Sequence, residues 1–282
     1  MAVSGAASAW TGAHPGAISP AMRAMGGAGV AVMAGTGALF ANPALMAVLP
    51  GQSFEFGAAR DQRPGRSTFS LGSVDGNKGS IAGGSVYSFE SGTVAGGRDR
   101  SGYDWRAGAA TGVKGDTAGF FFGGSLRRMS MDLGATDVIA AQAVSSWSGD
   151  AGILVVLGDH VRVGASWRNI GTKNEDEAPS RLVSGIGIGA SKLLIAADAD
   201  VSTVSWKPRW HVGAQLLLGE SFLLRGGWQL DNEATSRQMI SAGAGIRIDR
   251  WGVDASFALD PAFSARWQLG VSIVLGLPYV GG

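Results

Sequence analysis

The sequence predicts an all-β chain whose strands close into a transmembrane antiparallel β-barrel of about fourteen strands. Three observations predict it: apolar and polar residues alternate in segments of about ten residues, turn residues separate those segments, and tryptophan or tyrosine recurs at segment ends.

Alternation over so long a segment describes a strand that meets two different media, because successive side chains point to opposite faces. In His160 to Asn169, Val161, Val163, Ala165 and Trp167 share one face, and Arg162, Gly164, Ser166 and Arg168 share the other. Arg209 to Leu218 sets Trp210, Val212, Ala214, Leu216 and Leu218 against His211, Gly213, Gln215 and Leu217. Trp251 to Leu259 opposes Val253, Ala255 and Phe257 to Gly252, Asp254 and Ser256, and the last segment opposes Trp267, Leu269, Val271 and Ile273 to Gln268, Gly270 and Ser272. Strands of soluble sheets average about five or six residues, whereas a tilted membrane strand needs about nine to eleven. The segments match the longer class.

In chain order the expected strands are Gln52 to Arg60, Arg66 to Val74, Ser80 to Phe89, Gly102 to Val113 and Thr117 to Met129 in the first half. The second half adds Asp150 to Leu157, His160 to Ile170, Arg181 to Ala190, Lys192 to Val201, Pro208 to Leu218, Ser221 to Leu230, Met239 to Ile248, Trp251 to Leu259 and Ala265 to Leu275. The total is even, as single-chain bacterial barrels require. Tight turns such as Gly158–Asp159 and Gly219–Glu220 alternate with longer polar loops such as Gly171 to Ser180 and Asp231 to Gln238, the asymmetry of short periplasmic turns and longer outer loops. Met131 to Gly149 is the largest loop candidate, with Val138, Ile139 and Val144 leaving room for a helix or a strand extension. Tyr103, Trp105, Trp167, Trp210, Trp228, Trp251 and Trp267 suit the two lipid–water boundaries; the competing reading buries them in a core.

Composition agrees. The chain has 46 glycines in 282 residues, and each would destabilise a helix interior by about 1 kcal/mol relative to alanine. No cysteine is present, which excludes disulfides, thiolate catalysis and cysteine-bound metal. A net charge of +1, with the cations scattered, argues against a nucleic-acid partner. No apolar run reaches the roughly eighteen residues of a spanning helix. The start, MAVSGAASAW, lacks the apolar stretch of an export signal, so the numbering is expected to describe a mature or trimmed form, with Ala7 to Ala9 as a weak cleavage remnant.

Catalytic constellations are missing. The stretch Gly27 to Val32 imitates a phosphate loop but has no acidic residue at dinucleotide spacing after it. His14, His160 and His211 are too dispersed for a zinc site, and no serine sits in a nucleophile elbow. No cofactor, no metal and no enzymatic activity are expected. What alternation does supply is a set of polar lumen-facing candidates: Arg162, Arg168, Asp198, Asp200, His211, Gln215, Arg225, Arg247, Asp254 and Arg266. A charge facing lipid near midplane costs about 2 to 4 kcal/mol, so these groups belong inside. They either brace the wall by mutual pairing or line a polar solute path.

The first fifty-odd residues do not alternate, and their small apolar side chains need a host. Met22 to Val48, MRAMGGAGVAVMAGTGALFANPALMAV, resembles the N-terminal signature of the outer-membrane long-chain fatty-acid transporter (FadL) superfamily and of the related PorV-like barrels, with Asn42, Pro43, Ala44 and Leu45 as its marker. Asp150 to Gly171 is similar to the PorV-like strand pair that ends in an asparagine and a glycine, here Asn169 and Gly171, and Ala196 to Val201 followed by His211 to Trp228 continues the likeness. The resemblance implies a fourteen-stranded barrel in a bacterial outer membrane, with residues 1–51 as a plug in the lumen and residues 52–282 as the barrel. Gly164, Gly185, Gly187, Gly189, Gly213, Gly243, Gly245 and Gly270 then read as places where the plug backbone approaches the wall, or else as glycine that only lets a small barrel bend. Asn42 and Pro43 also suffice as a turn leading out of the plug.

The likeness implies passage of hydrophobic small molecules across the outer membrane, with membrane lipid as the surrounding partner. Short polar outer loops argue for the alternative, a barrel that docks other envelope proteins, for which Val138, Ile139, Val144 or Leu277 to Gly282 are contact candidates.

Overall fold

A computed structural model describes residues 19–49, 51–61, 65–76, 81–93, 98–135, 140–173, 178–233, 237–260 and 267–276. The first of these stretches holds α1 (Pro20–Ala24), α2 (Gly37–Ala41) and a 3₁₀ helix (Pro43–Val48). The strands follow as β1 (Gln52–Asp61), β2 (Arg66–Asp75), β3 (Ala82–Thr93), β4 (Asp99–Lys114), β5 (Ala118–Leu133), β6 (Gln142–Leu157) and β7 (Val161–Ile170). The second half continues with β8 (Arg181–Ala190), β9 (Leu193–Ser202), β10 (Pro208–Leu218), β11 (Phe222–Asp231), β12 (Arg237–Ile248), β13 (Trp251–Leu259) and β14 (Trp267–Leu275).

Each strand pairs antiparallel with its sequence neighbours, and β1 closes on β14 with Phe54 opposite Leu275 and Asp61 opposite Gln268. The fourteen strands therefore form a closed cylinder, so the backbone within the apolar band pairs from strand to strand where no water is available. The outer face carries Phe54, Phe56, Phe69, Leu71, Phe122, Ile186 and Ile273, all exposed, as an apolar surface that only lipid can cover.

The two ends differ. Connections 115–117, 158–160, 191–192, 219–221 and 249–250 are tight, whereas those at the opposite end, such as 134–141 and 171–180, are longer, marking that end as extracellular. β4, β5 and β6 have 16 residues each against 9 to 12 elsewhere, and β6 gains a β7 partner only from Gly149 onward. The expected loop Met131 to Gly149 is corrected accordingly: Met131 to Leu133 end β5, and Gln142 to Gly149 begin β6. Its serine-rich sequence alternates weakly because this hairpin rises past β7 to the edge of the apolar band. Its inner side buries Met129 and Met131 against Ala178 of the β7–β8 connection, with Leu133 and Val144 alongside. Arg266, Val138, Ile139, Leu277 to Gly282 and the side chain of Trp267 lie outside the described residues.

One irregularity shapes the wall. Gly149 pairs with Ile170 and Ala151 with Trp167, so Asp150 on β6 faces two residues of β7, Arg168 and Asn169. Asn169 takes the left-handed φ of 59° that such a bulge requires, and both of these consecutive polar side chains make contacts inside the barrel.

Candidate functional site

The barrel encloses a lumen, and residues 19–49 occupy it. Ser19 caps α1 by accepting the Met22 N–H at 3.3 Å, and Pro20 starts the helix with a φ already suited to it. The segment buries Met22, Met25, Met33, Leu39, Phe40, Leu45 and Met46 against Val74, Val86, Phe121 and Leu154 of the wall. Four methionines in this cluster give it adaptable, unbranched filling.

The plug is tied to the wall mostly through its backbone. Asp198 accepts the N–H groups of Gly29 at 2.6 Å and Val30 at 3.0 Å. His211 Nδ1 lies 2.7 Å from the Gly26 carbonyl oxygen, which can only accept, so Nδ1 carries the proton and Nε2 faces Asp200 at 4.0 Å. Ser241 accepts from Gly26 N–H at 2.9 Å and donates to the Ala24 carbonyl at 3.1 Å. Arg168 donates to the Ala41 carbonyl at 2.6 Å, where α2 ends, and Thr36 donates to the Glu55 carboxylate.

Asn42 is the joint of this assembly and is fully buried. Its Nδ2 donates to the Val30 carbonyl at 2.9 Å and to the wall carbonyl of Ile153 at 2.8 Å, while its Oδ1 accepts the Ala44 N–H at 3.0 Å. Pro43 opens the 3₁₀ helix, and Ala44 and Leu45 are buried within it. This close seating needs bare wall. A Cβ on Gly123 would fall 2.7 Å from the Pro43 carbonyl carbon, and one on Gly213 would fall 2.5 Å from the Met25 carbonyl oxygen. Gly164, Gly185, Gly187 and Gly243 likewise face plug atoms, and Gly270 faces Arg23 and Pro20. Gly189 and Gly245 do not: the first meets only Leu194 and its neighbouring backbone, and the second makes room for Asp254, Arg225 and Arg247.

Nearer the extracellular end the wall carries ion pairs around most of its circumference. Arg66 meets Asp61 at 3.1 Å and Glu90 at 3.7 Å, and Glu90 also accepts from Arg100. Arg127 grips Asp104 at 2.8 Å and donates to Asn169, while Asp150 accepts from Arg106 at 3.0 Å and from the Asn169 N–H at 2.7 Å. Arg181 joins Asp200 at 2.6 Å to Glu233 at 3.1 Å, and Arg209 joins Glu233 to Asp231 at 2.9 Å. Arg237 and Asp260, 2.6 Å apart, continue the collar. Arg106 also lies 4.7 Å from the centre of the Phe40 ring, so the collar rests on the plug.

The polar candidates thus divide among three places. Asp198, His211 and Arg168 touch the plug, and Asp200 belongs to the collar. Arg225, Arg247, Asp254 and Gln215 form a separate cluster nearer the periplasmic end, with Asp254 2.5 Å from Arg225 and 2.6 Å from Arg247, and Gln215 accepting from Arg225 at 2.7 Å. Arg162 shares the lumen-facing side of β7 with Gly164. Sequence reasoning missed Glu55, Asp61, Arg66, Glu90, Asp104, Arg106, Arg127, Asp150, Arg181, Arg209 and Glu233. Asp104 with Arg106 and Arg209 with His211 stand at alternating positions, a signal that was present.

No family model matches the sequence, and no curated protein does. Among solved structures the chain is similar to the Ralstonia pickettii toluene transporter TbuX, with a TM-score of 0.66 and 16% identity over 92% of this chain and 97% of that one. It is similar to the monoaromatic hydrocarbon channel CymD, with a TM-score of 0.69 and 16% identity over 91% and 96% of the two chains. A Pseudomonas aeruginosa FadL homologue gives a TM-score of 0.60 and 10% identity over 92% and 98%. The chain has the fold of the FadL-like outer-membrane barrels, the architecture to which its N-terminal motif pointed.

Proposed function

We propose that this barrel lets hydrophobic small molecules cross the bacterial outer membrane, with residues 1–51 acting as the plug and residues 52–282 as the wall. The observation that carries the reading is the methionine-rich plug seated on bare glycine wall beneath a collar of paired charges. A polar solute meets charges already engaged in ion pairs. An apolar one meets thioether and aliphatic groups that repack at little expense. Asn42, Pro43, Ala44 and Leu45 hold the plug's fold, and Asp198, His211 and Arg168 latch it to the wall; a rearrangement that releases the latches opens the route.

The neighbours in structure support the reading, since TbuX is a toluene transporter and CymD a monoaromatic hydrocarbon channel. A barrel that only docks envelope proteins has no observation in its favour among the described residues. The test is uptake of radiolabelled toluene and of a radiolabelled long-chain fatty acid by cells stripped of their own hydrophobic channels. Expression of the folded barrel raises saturable uptake of at least one of them, while a small polar sugar leaks no faster. Uptake equal to the empty vector refutes the proposal.

A further inference from the structure

Arg128 of β5 stands on the wrong side of the wall. Phe120, Phe122 and Leu126, at alternate positions before it, are exposed lipid-facing residues, and Arg128 shares their face. Eight positions along a strand tilted by 45° lift it about 19 Å above Phe120, near the outer edge of an apolar band about 25 Å tall. The end it approaches is the extracellular one, where the longer connections lie.

Its neighbours are aromatic. Trp105 and Trp147 flank it on the adjacent strands, its guanidinium carbon is 5.0 Å from the Trp147 ring centre, and its Nε is 3.4 Å from the Tyr103 hydroxyl. Among the described residues no carboxylate pairs with it, whereas the lumen-facing Arg127 beside it is fully paired. A cation held among rings at the lipid boundary, without a counter-ion from its own chain, is half of a charge pair.

On either side of Leu126, and below it, the outer wall is bare. Gly124 and Gly149 face outward, and a Cβ on either would meet only one backbone oxygen, at 3.5 Å. Unlike the glycines under the plug, these two are not demanded by anything inside the barrel. With Ala107, Ala109 and Ala151 on the neighbouring strands they leave a shallow track that passes beside Leu126 and runs from Arg128 toward midplane.

We propose that Arg128 and its aromatic frame bind the phosphate of an outer-leaflet glycolipid of the lipid A type, with an acyl chain lying along the track. The guanidinium fork matches a phosphate's oxygens, the Tyr103 hydroxyl adds a donor, and the tryptophans cover the sugar–acyl junction. The site is independent of the transport route.

The test uses the full barrel extracted from outer membranes in mild detergent, with bound lipid read by native mass spectrometry. Phosphorylated lipid A, its dephosphorylated form and phosphatidylglycerol are then added back to the delipidated protein. Wild type retains one phosphorylated lipid A, and R128Q binds it about tenfold more weakly, the loss expected for one charge-assisted contact. G124L, which fills the track without an internal clash, also loses retention, and heat-modifiable gel migration reports that both variants fold. Equal retention by R128Q, equal binding of the dephosphorylated form, or equal competition by phosphatidylglycerol overturns the assignment.

Discussion

The Asp198 carboxylate on β9 accepts the backbone N–H of Gly29 at 2.6 Å, and the same oxygen takes the next N–H, from Val30, at 3.0 Å. Backbone donors cannot be substituted away, so the chain can tune this latch only from the wall. D198A leaves two buried N–H groups without an acceptor, at about 1 to 3 kcal/mol each. D198N keeps an oxygen for both donors but loses the charge that strengthens the two bonds, and so falls between wild type and D198A. In planar bilayers the order of spontaneous ion conductance is expected to be wild type, then D198N, then D198A. Equal conductance in all three removes Asp198 from any role in holding the plug.

Gly226 and Gly227 are adjacent on β11 and have opposite neighbourhoods. A Cβ on Gly226 meets nothing within 4 Å, whereas one on Gly227 lands on the Met25 and Gly26 backbone. G226A is therefore expected to stay within about 0.5 kcal/mol of wild type, while G227A loses about 1 to 3 kcal/mol or displaces the plug. Urea unfolding in micelles, followed by tryptophan fluorescence, reads both. Equal midpoints contradict the close seating of the plug.

Those two residues also show what alternation can and cannot reveal. Period two assigns each residue a side, and it located all fourteen strands because lipid and lumen impose opposite demands along most of each one. Where the demand lapses the reading fails, as in Gln142 to Gly149, which rises past the end of β7. The bulge at Arg168 and Asn169 breaks the period itself, so no strict alternation places both side chains in the lumen. Asp104, Arg106, Arg127 and Asp150 could be assigned to a face, but their pairing depends on strand register, which one sequence does not disclose. The latches Asp198 and His211 were legible as inward groups. Their partners are backbone atoms of the plug, which no pattern of side chains announces.

Asn42 predicts an ordering that size alone would invert. N42A removes contacts to Val30, Ile153 and Ala44 and should destabilise the barrel by about 2 to 4 kcal/mol. N42D is nearly isosteric, yet it sets carboxylate oxygens against the Val30 and Ile153 carbonyls that Nδ2 now serves. It is expected to be the less stable of the two at neutral pH, measured by the urea midpoint. A midpoint for N42D above that of N42A means that Asn42 acts through shape rather than through its donors.

Arg127 and Asp104 are both almost wholly buried, and their pairing decides whether the collar stabilises the barrel or merely avoids harm. R127M takes from Asp104 the guanidinium that grips it at 2.8 Å, with Arg106 remaining 3.5 Å away, and takes a donor from Asn169 at the bulge. A loss of about 3 to 5 kcal/mol is expected for such a broken pair. Deleting the buried carboxylate as well, in R127M/D104L, should recover a large part of that loss, because two apolar groups need no desolvation to stay buried. The single variant's penalty should also resist added salt, since ions in solution screen a buried pair weakly. Urea midpoints of the two variants at low and high salt separate the possibilities. If the double variant is no more stable than R127M, the Arg127–Asp104 geometry is itself required to hold Asn169 and the β6–β7 register, and the collar is a stabilising element in its own right.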